Sequence, residues 1–343
     1  MLRWFGPIVV FLTVFVCISI CQGDTAEKSF KLLIIDSQKG KPYKTVRENV
    51  INYLKRSGLY QGNRLFVTYH SIGNFPGTLK NILSIERHKN FDAVLLNGTM
   101  ALIGAKKYAM GDSHYKFIFG AVTDPIGIGV IDAFNVPPKA NFTGVAYPVD
   151  VSERLRFIKK WLPKAKRVGL IYADMPQSHS YNNWLLTALK QEEFKNLKLV
   201  TRQVPFIPSE GGHIRMAMLA EKHIKDLNSL VDVFISPNDQ MGVQRPFVEV
   251  MARSAEKPLV GLSKTCVTEG WGATLSIYPS MENSAEIAGQ MIIDLFEGRA
   301  LSTLHPVYPR YGIAFDKKLA HRFGIILPQP STPGHPTATL VFE

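Results

Sequence analysis

Residues 121–130 (AVTDPIGIGV) bring Thr123 and Asp124 to a Pro-Gly turn directly after the apolar run Phe117–Gly120. A second polar turn, Asn141–Val145 (NFTGV), follows closely. The apolar run reads as a buried strand, so a hydroxyl and a carboxylate stand at its carboxyl end, where ligands sit in open α/β sheets. Short polar side chains and backbone N–H groups held there suit the grip of a small molecule. Motifs for bond-making do not appear in the sequence. It has no Gly-x-Ser-x-Gly elbow and no Gly-x-x-x-x-Gly-Lys-Ser/Thr phosphate loop. Gly127 and Gly129 lack the third glycine of a dinucleotide turn and follow Pro125. The nine histidines show no triad spacing, and no Cys/His group has zinc-like spacing. His213 and His223, ten residues apart, read as surface residues. The expectation is a binding protein, not an enzyme, with no metal and no cofactor.

Alternating apolar strands and amphipathic helices must position these clusters. Phe30–Ile35, Arg64–Tyr69, Asp92–Leu96 and Lys116–Phe119 read as strands. Between them, Thr45–Arg56 places Val46, Val50, Ile51 and Leu54 on one helical face. Gly77–Arg87 and a segment from Met100 supply further helices. The rhythm restarts with a helix over Val151–Trp161 and strands at Arg167–Tyr172, Leu197–Val204, Val231–Ile235 and Pro258–Gly261. Helices over His179–Phe194, Glu210–Lys225 and Gln240–Ser254 connect them. Strands separated by helices of 10–15 residues predict parallel sheets with right-handed crossovers. Two such runs in a chain of 343 residues predict two doubly wound lobes. After an extended segment ending at Tyr278, a strong helix spans Met281–Glu297; Val307–Ala314 is extended and Asp316–Phe323 is a short helix. The chain is expected to return to the first lobe near Tyr278 and to cross back near Tyr308, making three crossings.

The N-terminus sets the compartment. Arg3 is the one charged residue before Asp24, an apolar run spans Ile8–Ile20, and small residues follow at Cys21 and Gly23. This pattern predicts a cleaved secretory leader over residues 1–23; an uncleaved anchor and a lipid-bearing Cys21 are the alternatives. Cys17 and Cys21 lie in or at the end of the leader, which leaves Cys266 alone, either buried or reactive. The formal net charge of +12 falls to +11 without Arg3, which favours anionic surroundings through long-range attraction. The basic residues are scattered, densest over Lys159, Lys160, Lys164, Lys166 and Arg167. No basic strand with interleaved aromatics stands out, so no nucleic-acid partner is expected.

Four motifs occur together in order: Thr123-Asp124-Pro125 with Gly127, the Asn141–Gly144 turn, Leu162-Pro163 before Val168–Tyr172, and Ser236-Pro237-Asn238-Asp239. Over roughly residues 30 to 325 the set resembles the ABC-transporter substrate-binding protein family that includes tryptophan and tyrosine uptake receptors. The resemblance implies a type I periplasmic-binding-protein fold, α/β, with two doubly wound parallel-sheet lobes joined by a three-strand hinge and closing on a ligand. It divides the chain into lobe 1 (28–145 plus 279–306), lobe 2 (146–278 plus 307–328) and a loosely ordered tail (329–343). Carried over by position, Thr99 follows the third strand, Thr123 and Asp124 form the Thr-Asp-Pro turn, and Asp239 heads a helix of lobe 2. Tyr278 falls at the second crossing. The run Ala173–Ser180 departs from the family: Pro176 replaces a Glu, and either Ser178 or Ser180 takes the serine role. A glycine expected before the helix at Ala285–Phe296 is also missing.

A site of this kind suits a small zwitterion or similar polar molecule. Helix N-termini with Ser178 or Ser180 and Thr99 suit a carboxylate. Asp239 or Asp124 suits an ammonium. Tyr147, Tyr278 and Tyr43 are placed to stack on a flat side chain. Each residue also has a plain structural role open to it, as a helix cap, a turn brace or hinge packing. The implied partner is an ABC permease in the inner membrane, with the protein acting as a periplasmic monomer. The alternative is a ligand-sensing subunit for a membrane signalling protein.

Overall fold

The computed structural model describes Met1 and residues 28–138, 140–327 and 339–342. The leader, with Cys17 and Cys21, lies outside the described residues. The first run of the chain is β1 (Phe30–Asp36), α1 (Tyr43–Arg56), β2 (Leu65–Ser71), α2 (Thr78–Glu86), β3 (Ala93–Asn97), α3 (Thr99–Ala109), β4 (Phe117–Val122), the single turn α4 (Pro125–Ile128) and β5 (Phe142–Ala146). Its five strands form one parallel sheet in the order β2-β1-β3-β4-β5. β1 is an almost unbroken apolar run because both of its faces are covered. Leu32 and Ile34 pack with Val46, Val50 and Leu54 of α1 on one face. Leu33 and Ile35 pack with Leu79 and Leu83 of α2 and Leu102 of α3 on the other.

The second run is α5 (Val151–Trp161), β6 (Arg167–Ala173), α6 (Pro176–Ala188), β7 (Lys198–Val204), α7 (Gly212–Leu227), β8 (Val233–Ile235), α8 (Arg245–Ser254), β9 (Leu259–Gly261), the single turn α9 (Thr265–Thr268) and β10 (Leu275–Pro279). Then α10 (Met281–Phe296) leaves this lobe and packs beside α1, with Ala285, Ala288 and Ile292 in the first lobe's core. The chain returns through β11 (Tyr311–Asp316) and α11 (Lys317–Arg322) and ends on β12 (Thr339–Phe342). The second sheet has the order β12-β11-β10-β9-β8-β6-β7. Its body is parallel, but β11 and β12 are antiparallel to their neighbours. Residues 339–342, expected within a loose tail, are therefore an edge strand paired with β11.

The three crossings are hydrogen-bonded to one another. Val307 donates to Gly144 O and Ala146 donates to Val307 O, at 3.0 and 2.9 Å. Ser280 donates to Arg310 O at 2.7 Å. The third crossing thus lies between the other two as a short ribbon. Gly144 permits the close approach of β5 to β4: at its φ of +152° a Cβ would stand 2.2 Å from Phe119 O.

Several elements differ from the sequence expectation. Asn141–Val145, read as a turn, is mostly β5, fully buried in the sheet. α6 begins at Pro176, which suits a first helical position because it has no N–H to satisfy. α8 begins at Arg245 and not at Gln240. His213 and His223, expected at the surface, are half-buried. Among the described residues no helix is long and apolar enough to cross a membrane.

Candidate functional site

The carboxyl ends of both sheets face each other across a small cavity. Pro42, Tyr43, Thr99, Ala121 and Thr123 line it from the first lobe. Gln177, Asn238, Asp239, Gln240 and Val243 line it from the second, and Tyr147 from the first crossing. Each polar residue reaches the wall by the same route, a turn directly after a strand. Thr99 follows β3, Thr123 follows β4, Gln177 follows β6, and Asn238, Asp239 and Gln240 follow β8.

Local backbone geometry builds the wall. Gly98, at φ +97°, admits the Tyr43 ring, since a Cβ there would lie 2.4 Å from it. Ala121, at φ +51°, is a non-glycine residue in the left-handed region at the end of β4. Such a conformation is costly and persists only where its surroundings hold it. Below the second wall, fully buried Arg154 donates through Nη2 to Ser236 O at 2.7 Å and Val260 O at 3.3 Å. It ties together the strand ends from which the 236–240 turn starts.

The structure brings Thr99, Thr123, Tyr147 and Asp239 together on this cavity. Asp239 is not at the head of a helix. One carboxylate oxygen accepts from Ala173 N (2.8 Å) and Ser178 Oγ (2.9 Å). The other accepts from Met241 N (2.9 Å) and Gly242 N (2.8 Å). Burial pushes its carboxyl up, and these four bonds oppose that by favouring the carboxylate. With about four lone-pair sites filled, little acceptor capacity is left for a ligand. Ser178 is buried behind the wall as one of its donors. Ser180 lies two residues on, half-exposed and off the lining. Asp124 braces its own turn, accepting from Gly127 N at 2.6 Å. Only glycine fits at 127, because a Cβ would lie 2.1 Å from the Asp124 carboxylate. Tyr278 lines a neighbouring cavity instead.

Three amides were not singled out from sequence: Gln177, Asn238 and Gln240. Applying the strand-end rule to β6 and β8 as strictly as to β4 finds them. They differ from Asp239 in having capacity left. Gln177 Oε1 and Asn238 Oδ1 are buried and have no hydrogen-bond partner among the described residues. No lysine, arginine or histidine lines the cavity. Burial raises the Tyr43 and Tyr147 phenols, so both stay neutral donors. The lining is therefore amides, hydroxyls and one internally satisfied carboxylate. No group of three or more acidic, Cys or His side chains placed to hold a metal exists among the described residues. Cys266 is buried, its thiol pushed up by burial and donating to Ser263 O at 2.8 Å.

The lobes are joined around this cavity. Asn238 Nδ2 donates to Thr123 Oγ1 at 3.0 Å. Asn74 Nδ2 donates to Gln240 Oε1 at 2.9 Å and to Gln38 Oε1 at 3.0 Å, and Gln240 closes the cluster through Gln38. At the rim, Glu210 accepts from Lys39 N at 3.1 Å and Ser71 Oγ at 2.9 Å. Lys41 pairs with Glu269 at 3.1 Å. This is a closed arrangement.

The chain is similar to known proteins. The family model described as ABC transporter substrate binding protein matches residues 39–328. A tyrosine-binding protein of Clostridioides difficile (strain R20291) is 22% identical over 261 residues, covering 75% of this chain and 70% of the relative. The ABC domain in complex with L-Trp from Streptococcus pneumonia superposes with a TM-score of 0.72 at 20% identity, covering 88% of this chain and 97% of that one. A conserved domain protein from Vibrio cholerae gives a TM-score of 0.73 at 19% identity with the same coverage.

Proposed function

The chain belongs to the ABC transporter substrate-binding protein family, and from that premise we propose that it captures a zwitterionic amino acid, aromatic in its side chain, between its lobes. The observation that carries this reading is a cavity without a cationic side chain that holds two unpartnered amide oxygens. Gln177 Oε1 and Asn238 Oδ1 are acceptors waiting for a donor, and a ligand ammonium supplies up to three. The carboxylate is received across the cavity, at the N-terminus of α3 with the Thr99 hydroxyl and the Thr123 side of the wall. An eleven-residue helix carries partial positive charge there without a cationic side chain. With the Asp239 carboxylate in its wall and no cationic side chain, the site accepts a ligand whose own charges cancel and disfavours a net anion. The basic surface then serves encounter and not selection.

The tyrosine-binding relative, similar in sequence, and the L-Trp complex, similar in fold, support the aromatic class. The geometry supports a transport cycle. Open lobes admit the ligand, the hinge ribbon bends, and the Asn238–Thr123 and Glu210 contacts form over it. The closed form then docks on an ABC permease, and the chain acts as a monomer in the periplasm after export through residues 1–23. A thermal-shift screen of the twenty amino acids on the purified protein tests this reading. Aromatic amino acids should raise the melting temperature by mass action; a screen in which only anionic or sugar ligands do so rejects it.

A further inference from the structure

A second, larger cavity lies beside the first at the crossings. Pro42, Tyr147 and Val243 line both, so these three residues are a shared wall. Beyond that wall Leu262, Trp271, Tyr278 and Met281 supply apolar and aromatic surface, beside the charged Lys41, Lys264 and Glu282. Its elements come from both lobes. Trp271 and Leu262 belong to the second, Met281 begins α10 of the first, and Tyr147 and Tyr278 stand at two crossings. The Tyr278 ring is seated against Gly312, where a Cβ would lie 2.8 Å from it. Trp271 donates through Nε1 to Glu269 Oε2 at 3.1 Å, and Glu269 in turn pairs with Lys41 of the other lobe. Closure of the lobes therefore also completes this compartment.

We infer that the second cavity is the ring compartment of the binding site. The polar cavity holds the amino acid's charged head, and the side chain passes the Tyr147–Val243 wall to lie among Trp271, Tyr278, Leu262 and Met281. The inference rests on the amino-acid reading given above. Its physical basis is the division of surfaces. The polar cavity's aliphatic lining is Pro42, Ala121 and Val243, joined by the Tyr43 and Tyr147 rings, and of these Pro42, Val243 and Tyr147 are the shared wall. A flat apolar group attached to a head held by Gln177 and Asn238 finds its matching surface on the far side. The compartment selects ring-bearing side chains over small ones.

Calorimetric titrations of the purified protein with L-tryptophan, L-phenylalanine and L-alanine test this. The wild type should bind the two aromatic ligands at least about ten-fold more tightly than alanine, the effect of burying a ring. Met281→Trp, which fills the compartment from its half-buried rim, should remove that advantage and leave alanine affinity unchanged. Trp271→Ala, which removes its aromatic wall, should weaken only the aromatic ligands. Both variants are first checked for a wild-type melting transition. Aromatic affinity unchanged in both variants, or alanine affinity lost in parallel, overturns the ring compartment while leaving the head site standing. Failure of the wild type to bind any of the three overturns the head site, and the ring compartment with it.

Discussion

Asn238 Nδ2 donates to Thr123 Oγ1 across 3.0 Å, and this bond joins two lobes that share no sheet. Both residues line the cavity, so the contact that closes the protein is also a wall of its site. Asn238→Ala should shift the free protein toward the open form. Small-angle scattering should show a larger radius of gyration, and ligand affinity should fall by about ten-fold or more, since both a closure bond and an amide acceptor are lost. Wild-type scattering together with wild-type affinity would remove this bond from the mechanism.

Asp239 and Gln177 line the same cavity but should respond differently to truncation. Asp239→Ala strands three buried backbone N–H groups and the Ser178 hydroxyl, which costs about 3 kcal/mol or more. Denaturant unfolding and binding should fail together. Gln177→Ala removes an amide whose oxygen has no partner among the described residues, so it should weaken binding with little change in unfolding. An Asp239→Ala protein as stable as wild type would show that the four-donor cradle has been given too large a role.

Glu210 latches the cleft mouth through Lys39 N and Ser71 Oγ, far from the hinge in sequence and on the exposed rim. Glu210→Ala should speed ligand release several-fold, as expected for losing roughly 1 kcal/mol from the closed form. Stopped-flow dissociation measures this. A change confined to the association rate would contradict a latch.

Acid stability should follow a surface cradle at the base of the second lobe. The Asp232 carboxyl is held down to about 2 by the Arg167 guanidinium, helped by the N–H groups of Lys166 and Arg167. Its folded value lies below the ordinary 3.8, so its contribution is complete above that pH and is lost as pH falls toward about 2. Asp232→Asn should cost about 1 kcal/mol or less at neutral pH, given the pair's partial exposure. The gap to wild type should narrow below pH 3.8; a gap that widens there would reverse the sign of the argument.

Periodicity exposes cores better than it exposes sites. Val46, Val50 and Leu54 announce α1, and Val151–Trp161 matches its helix end to end, because burial repeats with the helical turn. β5 is hidden by Thr143 and Gly144, which look like turn residues until Thr143 Oγ1 is seen donating to Leu304 O, 161 positions away. The start of α8 is displaced because the Asp239 carboxylate captures the N–H groups of Met241 and Gly242 and holds a tight turn. Thr99, Thr123 and Tyr147 were legible as strand-end and crossing residues. Asn238 and Gln177 also follow strands, but their roles were not legible, since what distinguishes them is a partner, or the lack of one, across the cleft. Such long-range pairing leaves no trace in local spacing.

The central claim is that uncharged amides between the lobes hold an aromatic amino acid. Calorimetry with L-tryptophan, L-tyrosine and L-phenylalanine on wild type and on the Gln177→Ala/Asn238→Ala double variant tests it most directly. The predicted result is one-to-one binding of at least one of the three by the wild type, weakened at least about hundred-fold in a double variant that still unfolds cooperatively. Undiminished binding by that variant, or no binding of any of the three by the wild type, would contradict it.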